Sequence, residues 1–137
     1  MTINEAQNEI IANFLCLPDW VEKCEYLIES GKTLAVYDIR YKNEEYALRG
    51  CQSQVWICPV VKDGYLSFLA DSDSVIIKGV LFLLLRVLNN RLPGEIAKAD
   101  LYFVKEIGLS TNLSPTRANG VASIIKQMKH LGELFDR

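Results

Sequence analysis

The sequence predicts an α+β domain in which a small antiparallel sheet of about three strands is flanked by helices. Three observations carry this reading. Apolar residues recur at helical spacing near the N-terminus, the period changes around a hairpin signal in the middle third, and helical spacing returns in the last half.

The opening segment carries Ile3, Ile10, Ile11, Phe14 and Leu15 on an amphipathic helix that ends before Pro18. Asp19 caps a second helix, with Glu22 as its reciprocal partner three residues on. Trp20, Cys24, Leu27 and Ile28 share one face of it, and Gly31 is placed to stop it. Two apolar runs, Gln54–Val61 and Tyr65–Ala70, flank Lys62-Asp63-Gly64, a hairpin signal. Glu44–Arg49 is the candidate third strand. Pro59 cannot donate to a ladder, so it marks an edge or the end of pairing. Asp71-Ser72-Asp73-Ser74 offers caps for a helix from Val75 to about Asn90. A short Pro93–Ala99 helix and another over Leu101–Ile107, capped by Asp100 and stopped by Gly108, come next. Ser114-Pro115 opens the last helix, whose apolar stripe is Val121, Ile124, Ile125, Met128, Leu131 and Leu134.

The 137 residues are 50% hydrophobic and 23% charged, the recipe of one globular domain spanning 1–137. Fifteen Lys+Arg against seventeen Asp+Glu leave a formal charge of −2, with no basic face for nucleic acid. The most apolar run, Gly79–Leu85, is far short of the roughly 20 residues of a bilayer span. Residues 1–9 lack a secretory pattern, so the expected location is cytoplasmic. Cys16, Cys24, Cys51 and Cys58 are then expected as free thiols.

His130, the single histidine, lies near the end of the last helix and makes a poor triad member. No phosphate loop, dinucleotide fingerprint or C-x-x-C pair is present. Cys24 falls on an apolar helical face, Cys16 lies beside Leu15 and Leu17, and Cys58 sits in a strand run, so all three read as packing residues. Cys51 differs. It stands in the polar stretch Arg49-Gly50-Cys51-Gln52-Ser53-Gln54, where a loop supplies access, Gly50 removes obstruction and Arg49 is the nearest positive charge.

Gly50-Cys51-Gln52-Ser53-Gln54-Val55-Trp56 resembles the G-C-x-S-x-V-W signature of the SufE/CsdE family of sulfur-acceptor proteins. Ala70–Val80 is similar to its D-S-D-A-x-I-x-K-G block, and Leu113–Val121 to its L-T/S-P-S/T-R-x-x-G-L block, in the same order. The resemblance implies a fold of the SufE/IscU kind. It implies a protein that takes sulfur from a pyridoxal-phosphate cysteine desulfurase of the SufS/CsdA type, holds it as a persulfide on Cys51 and stimulates the desulfurase. The sulfur then passes to an iron–sulfur scaffold or another acceptor. No cofactor or metal in this chain is implied.

By the same resemblance Arg117 and Asp73 contact the desulfurase, with Asp71, Gln52 and Gln54 as further contact candidates. Helix capping alone would also explain Asp71 and Asp73. An arginine in the first turn of the last helix opposes the macrodipole, so local stability does not explain Arg117. The family's sheltering pocket for the thiol would draw on Val55, Trp56 and the Val80–Leu85 helix, residues that core packing explains equally well. One departure stands out: Tyr46 replaces a small amide ahead of the cysteine. Two other readings stay open, a Cys51 redox sensor or thiol peroxidase and an interaction module with incidental thiols. A homodimer is compatible with the sequence.

Overall fold

A computed structural model describes residues 1–49 and 51–136. Gly50, read above as clearing the approach to Cys51, lies outside the described residues.

Helix α1 (Ile3–Leu15) opens on a capping box in which Thr2 Oγ1 accepts from Glu5 N–H and Glu5 returns the bond. Helix α2 (Trp20–Gly31) is capped by Asp19, whose carboxylate accepts from Glu22 N–H at 2.9 Å. Two strands, β1 (Val55–Lys62) and β2 (Tyr65–Ser72), form an antiparallel hairpin that turns at Asp63 and Gly64, both at positive φ. Helices α3 (Val75–Leu88), α4 (Pro93–Lys98), α5 (Phe103–Glu106), α6 (Leu109–Asn112) and α7 (Pro115–Phe135) complete the fold, which is α+β as expected.

Among the described residues the sheet has two strands, not three. The Glu44–Arg49 candidate reduces to one bridge, Ala47 opposite Trp56, with bonds from Leu48 N–H to Val55 O and Ile57 N–H to Tyr46 O. Val55 and Ile57 therefore point their backbone groups toward the free edge, and by strand alternation Pro59 does too. Proline has no N–H to offer there, so pairing stops after two bonds. On the other side, β2 is closed by the Asn89 side chain, which accepts from Phe68 N–H at 2.8 Å. That role draws Asn89 out of α3, which ends at Leu88 rather than Asn90.

Helix α3 is the centre of the core. Val80, Leu81, Leu83, Leu84, Val87 and Leu88 are all fully buried, and the helix packs against α1, α2, β2 and α7. Helix α2 does end at Gly31, but Gly31 is its buried last residue rather than a left-handed residue beyond the cap, and Lys32 follows in the right-handed helical region. Its role is to let α2 approach Gly79 of α3. The Asp100 cap is corrected. Helix α5 begins at Phe103, whose N–H is met by buried Gln7 Oε1 at 3.1 Å, while Gln7 Nε2 donates to the Asp100 carbonyl at 3.0 Å. A glutamine ninety-six positions away does the capping, which no local pattern announces. Leu134 leaves the expected stripe and is exposed, and Cys16 is exposed rather than packed.

Candidate functional site

Cys51 sits on the loop entering β1, and both ends of that loop are fixed. Upstream, the Leu48–Val55 and Tyr46–Ile57 bonds hold residues 46–48 beside β1. Downstream, Asp73 Oδ1 accepts from Gln54 N–H at 3.0 Å, and the Ser72 hydroxyl donates to Gln54 O at 2.7 Å. Ser72 Oγ also accepts from Ser74 N–H, so the same hydroxyl joins the loop to the start of α3. Asp73, expected at a docking surface, is thus a clasp of the cysteine loop and is itself exposed.

The half-buried Cys51 side chain enters a small apolar pocket with Val55, Ile77, Gly120 and Ile124, rimmed by Thr116 and Arg117. Its thiol donates weakly to the Gly120 carbonyl at 3.8 Å. Free space in the pocket is about 10 Å³, roughly one water. Burial pushes the Cys51 thiol up from its ordinary value, so the resting group is a covered, neutral S–H. Val55 lines the pocket as expected, but the Val80–Leu85 helix does not. The walls come from Ile77 at the start of α3 and from one face of α7. Arg117 follows the Ser114 cap and is exposed at the rim, beside exposed Gln52.

Trp56 belongs to a second, open space on the other side of the loop. This cleft, of about 310 Å³, is bordered by Cys51, Ser53, Gln54, Trp56, Lys42 and Asn43. Trp56 and Asp71 are direct cross-strand partners, and Lys42 bridges them. Its ammonium lies 4.9 Å from the Trp56 ring centroid and 2.9 Å from Asp71 Oδ2. Lys78 approaches the other carboxylate oxygen at 3.6 Å. Burial alone would raise Asp71, but hydrogen bonds from Lys42 and Ser72 N–H and the charge of Lys78 outweigh it and hold the carboxyl below its usual range. Sequence reasoning missed Lys42 altogether. Tyr46, the departure from the expected pattern, does not enter either space: its ring packs edge-on against Tyr41, and its phenol lies beside buried Cys58.

Two predictions arise here. Because the native Asp71 titrates low, its stabilisation is complete above the usual carboxylate range and disappears as pH falls through the depressed value. The melting-temperature gap between wild type and Asp71→Asn should therefore be widest at neutral pH and close in acid; a gap independent of pH would contradict the pairing. Secondly, a Cβ on Gly120 would meet Cys51 Sγ at 3.7 Å, an ordinary contact. Gly120→Ala should leave the thiol seated, whereas Gly120→Leu should fill the pocket, displace it and speed its alkylation by iodoacetamide severalfold. Equal rates in all three proteins would show that the pocket does not shelter the thiol.

Among the described residues no group of three or more His, Cys, Asp or Glu is placed to hold a metal ion, and no helix is long and apolar enough to cross a membrane. What the fold and site define is a small α+β thiol protein whose loop cysteine is covered at rest and borders an open, cation-bearing cleft. A family model, SufE, the Fe-S metabolism associated domain, matches residues 8–132. An uncharacterized SufE-like protein of Rhizobium etli is 33% identical over 127 residues, covering 89% of this chain and 86% of the relative. Another, from Rhizobium meliloti, is 33% identical over 131 residues, covering 92% and 94%. The solution structure of a hypothetical protein from Thermus thermophilus superposes with a TM-score of 0.77 at 16% identity over 95% of both chains, a likeness of fold. The chain belongs to the SufE family, whose domain is associated with iron–sulfur metabolism.

Proposed function

We propose that this protein is a sulfur acceptor: Cys51 takes sulfur from the persulfide of a cysteine desulfurase, relieves that enzyme of product and passes the sulfur on for iron–sulfur cluster assembly. In the transfer, the Cys51 thiolate attacks the outer sulfur of the donor's persulfide. One S–S bond forms, the donor's S–S bond breaks, and the donor cysteine leaves as its thiolate. The proton released by Cys51 balances the one the donor thiolate regains, so no oxidant, metal or cofactor in this chain is required. Pyridoxal phosphate belongs to the desulfurase.

The observation that carries this reading is the half-buried, neutral Cys51 thiol between a small apolar pocket and an open cleft. A thiol peroxidase or redox sensor that closes a disulfide calls for a resolving thiol within reach, and Cys58 is buried in β1 while neither Cys24 nor Cys58 lines the Cys51 pocket or cleft. A carrier gains from the partial burial of Cys51, because a resting thiol is kept from stray oxidants until a donor docks. Arg117, at the pocket rim, is the leading contact for the desulfurase, with Gln52, Gln54 and Asp73 around the loop. Asp71 contributes through Lys42 and Lys78 rather than by direct contact. In the cytoplasm, the location this role implies, the cysteines would remain thiols.

The test is incubation with a SufS-type desulfurase and L-cysteine, followed by proteolysis and peptide mass measurement. One added sulfur atom on the Cys51 peptide is expected. Oxygen gained from peroxide with no sulfur from the desulfurase would instead favour a redox sensor. Binding without any adduct would favour an interaction module.

A further inference from the structure

We propose that Lys42 is the counter-charge for Cys51 once that cysteine carries an added sulfur, and that the loaded side chain resides in the Lys42 cleft rather than in the apolar pocket. The inference deepens the sulfur-acceptor reading and rests on it.

The pocket suits the bare thiol and no more. Its free space is about 10 Å³, and a second sulfur atom is bulkier than the one water that space would take. Val55, Ile77 and Ile124 give it apolar walls against which an anion loses hydration, and the charged residue that lines it, Arg117, stands exposed at the rim. The polar group facing the sulfur is the Gly120 carbonyl, which accepts from S–H at 3.8 Å. A persulfide anion has no proton to donate and would present negative charge to the negative end of that dipole. Adding sulfur therefore turns a favourable contact into a repulsive one.

The cleft offers the opposite environment. Cys51, Ser53 and Val55 form the wall between the two spaces, so a turn of the cysteine side chain moves its sulfur from one to the other. The cleft is about thirty times roomier by the same measure, 310 against 10 Å³. It carries the Lys42 ammonium, already oriented by Trp56 and Asp71. Held in this way, the ammonium loses little ordering entropy on meeting an anion. The other charges facing these spaces are Glu44 in the cleft, which opposes an anion there, and Arg117 at the pocket rim, the rival counter-charge.

The experiment loads Cys51 without a desulfurase, using inorganic polysulfide. The thiolate attacks one sulfur of the polysulfide and a shorter polysulfide leaves, so one S–S bond replaces another. Alkylation of the bare and loaded forms by iodoacetamide is then followed by mass across pH. In Lys42→Met, alkylation of the loaded form on the acid limb of its pH profile should fall about tenfold, equivalent to a one-unit upward shift of that profile. The bare-thiol profile should not move, and Lys42→Arg should restore the loaded one. Lys42→Gln serves equally should the methionine variant fold poorly. Superimposable loaded profiles for wild type and Lys42→Met would overturn the inference. So would a shift produced by Arg117→Met instead, or failure of polysulfide to add sulfur to Cys51. Failure of a desulfurase to load Cys51 would sink the acceptor reading separately, because no desulfurase enters this measurement.

Discussion

Gly79→Ala is expected to destabilise the protein by about 3 kcal/mol or more, the range of a core overpacked against rigid neighbours. A Cβ there would lie 2.2 Å from the Leu27 carbonyl oxygen and 2.6 Å from its carbon. Both are backbone atoms, so no side chain can swing aside. The opposing glycine is no better placed: a Cβ on Gly31 would meet Gly79 N at 2.7 Å. Glycine inside a helix costs roughly 0.5–1 kcal/mol relative to alanine, and α3 accepts that cost to bring its axis against α2. Denaturant unfolding should show the midpoint falling sharply, with a drop of roughly 10 °C in melting temperature. A loss below about 1 kcal/mol would mean that the two helices separate easily, contrary to their packing.

Cys51→Ser is expected to abolish sulfur loading by a desulfurase while leaving the fold intact. The serine hydroxyl is smaller than the thiol but still a donor, and the site is half-buried, so the stability change should stay within about 1 kcal/mol. No other thiol should substitute. Cys58 is buried in β1, Cys24 is half-buried on α2, and neither borders the pocket or the cleft. Cys16 is the stringent comparison, since it is the exposed thiol, at the end of α1. If loading depended on access alone, Cys16 would take sulfur as readily as Cys51. Sulfur on the Cys16 peptide of the Cys51→Ser protein, in the yield seen for Cys51 in wild type, would show that the loop confers nothing.

The parts legible in the sequence are those fixed by neighbours along the chain. Asp63-Gly64 specifies its own turn because both positions adopt positive φ, and that turn sets Trp56 opposite Asp71. The caps at Asp19 and Ser74 and the Ser114-Pro115 start of α7 are equally local. Cys51 was legible through its motif and its polar surroundings. What covers it was not, because Ile77, Gly120 and Ile124 reach it only through the packing of α3 and α7. The third strand failed for a reason present in the sequence but dependent on register: only after Ile57 is known to face the free edge does Pro59 become the residue that ends pairing. Lys42 left one trace. A hairpin that pairs a tryptophan with an aspartate on its surface calls for a cation, and nothing local said which.

The two anchors of the cysteine loop also set a mechanical limit on delivery. Cys51 stands three residues from Leu48 and three from Gln54, both tied by hydrogen bonds. At roughly 3.5 Å per extended residue, that tether gives a reach of about 10 Å while both knots hold. Such a short leash means that cargo has to be brought to this molecule's doorstep, and that any recipient must come equally close to collect it.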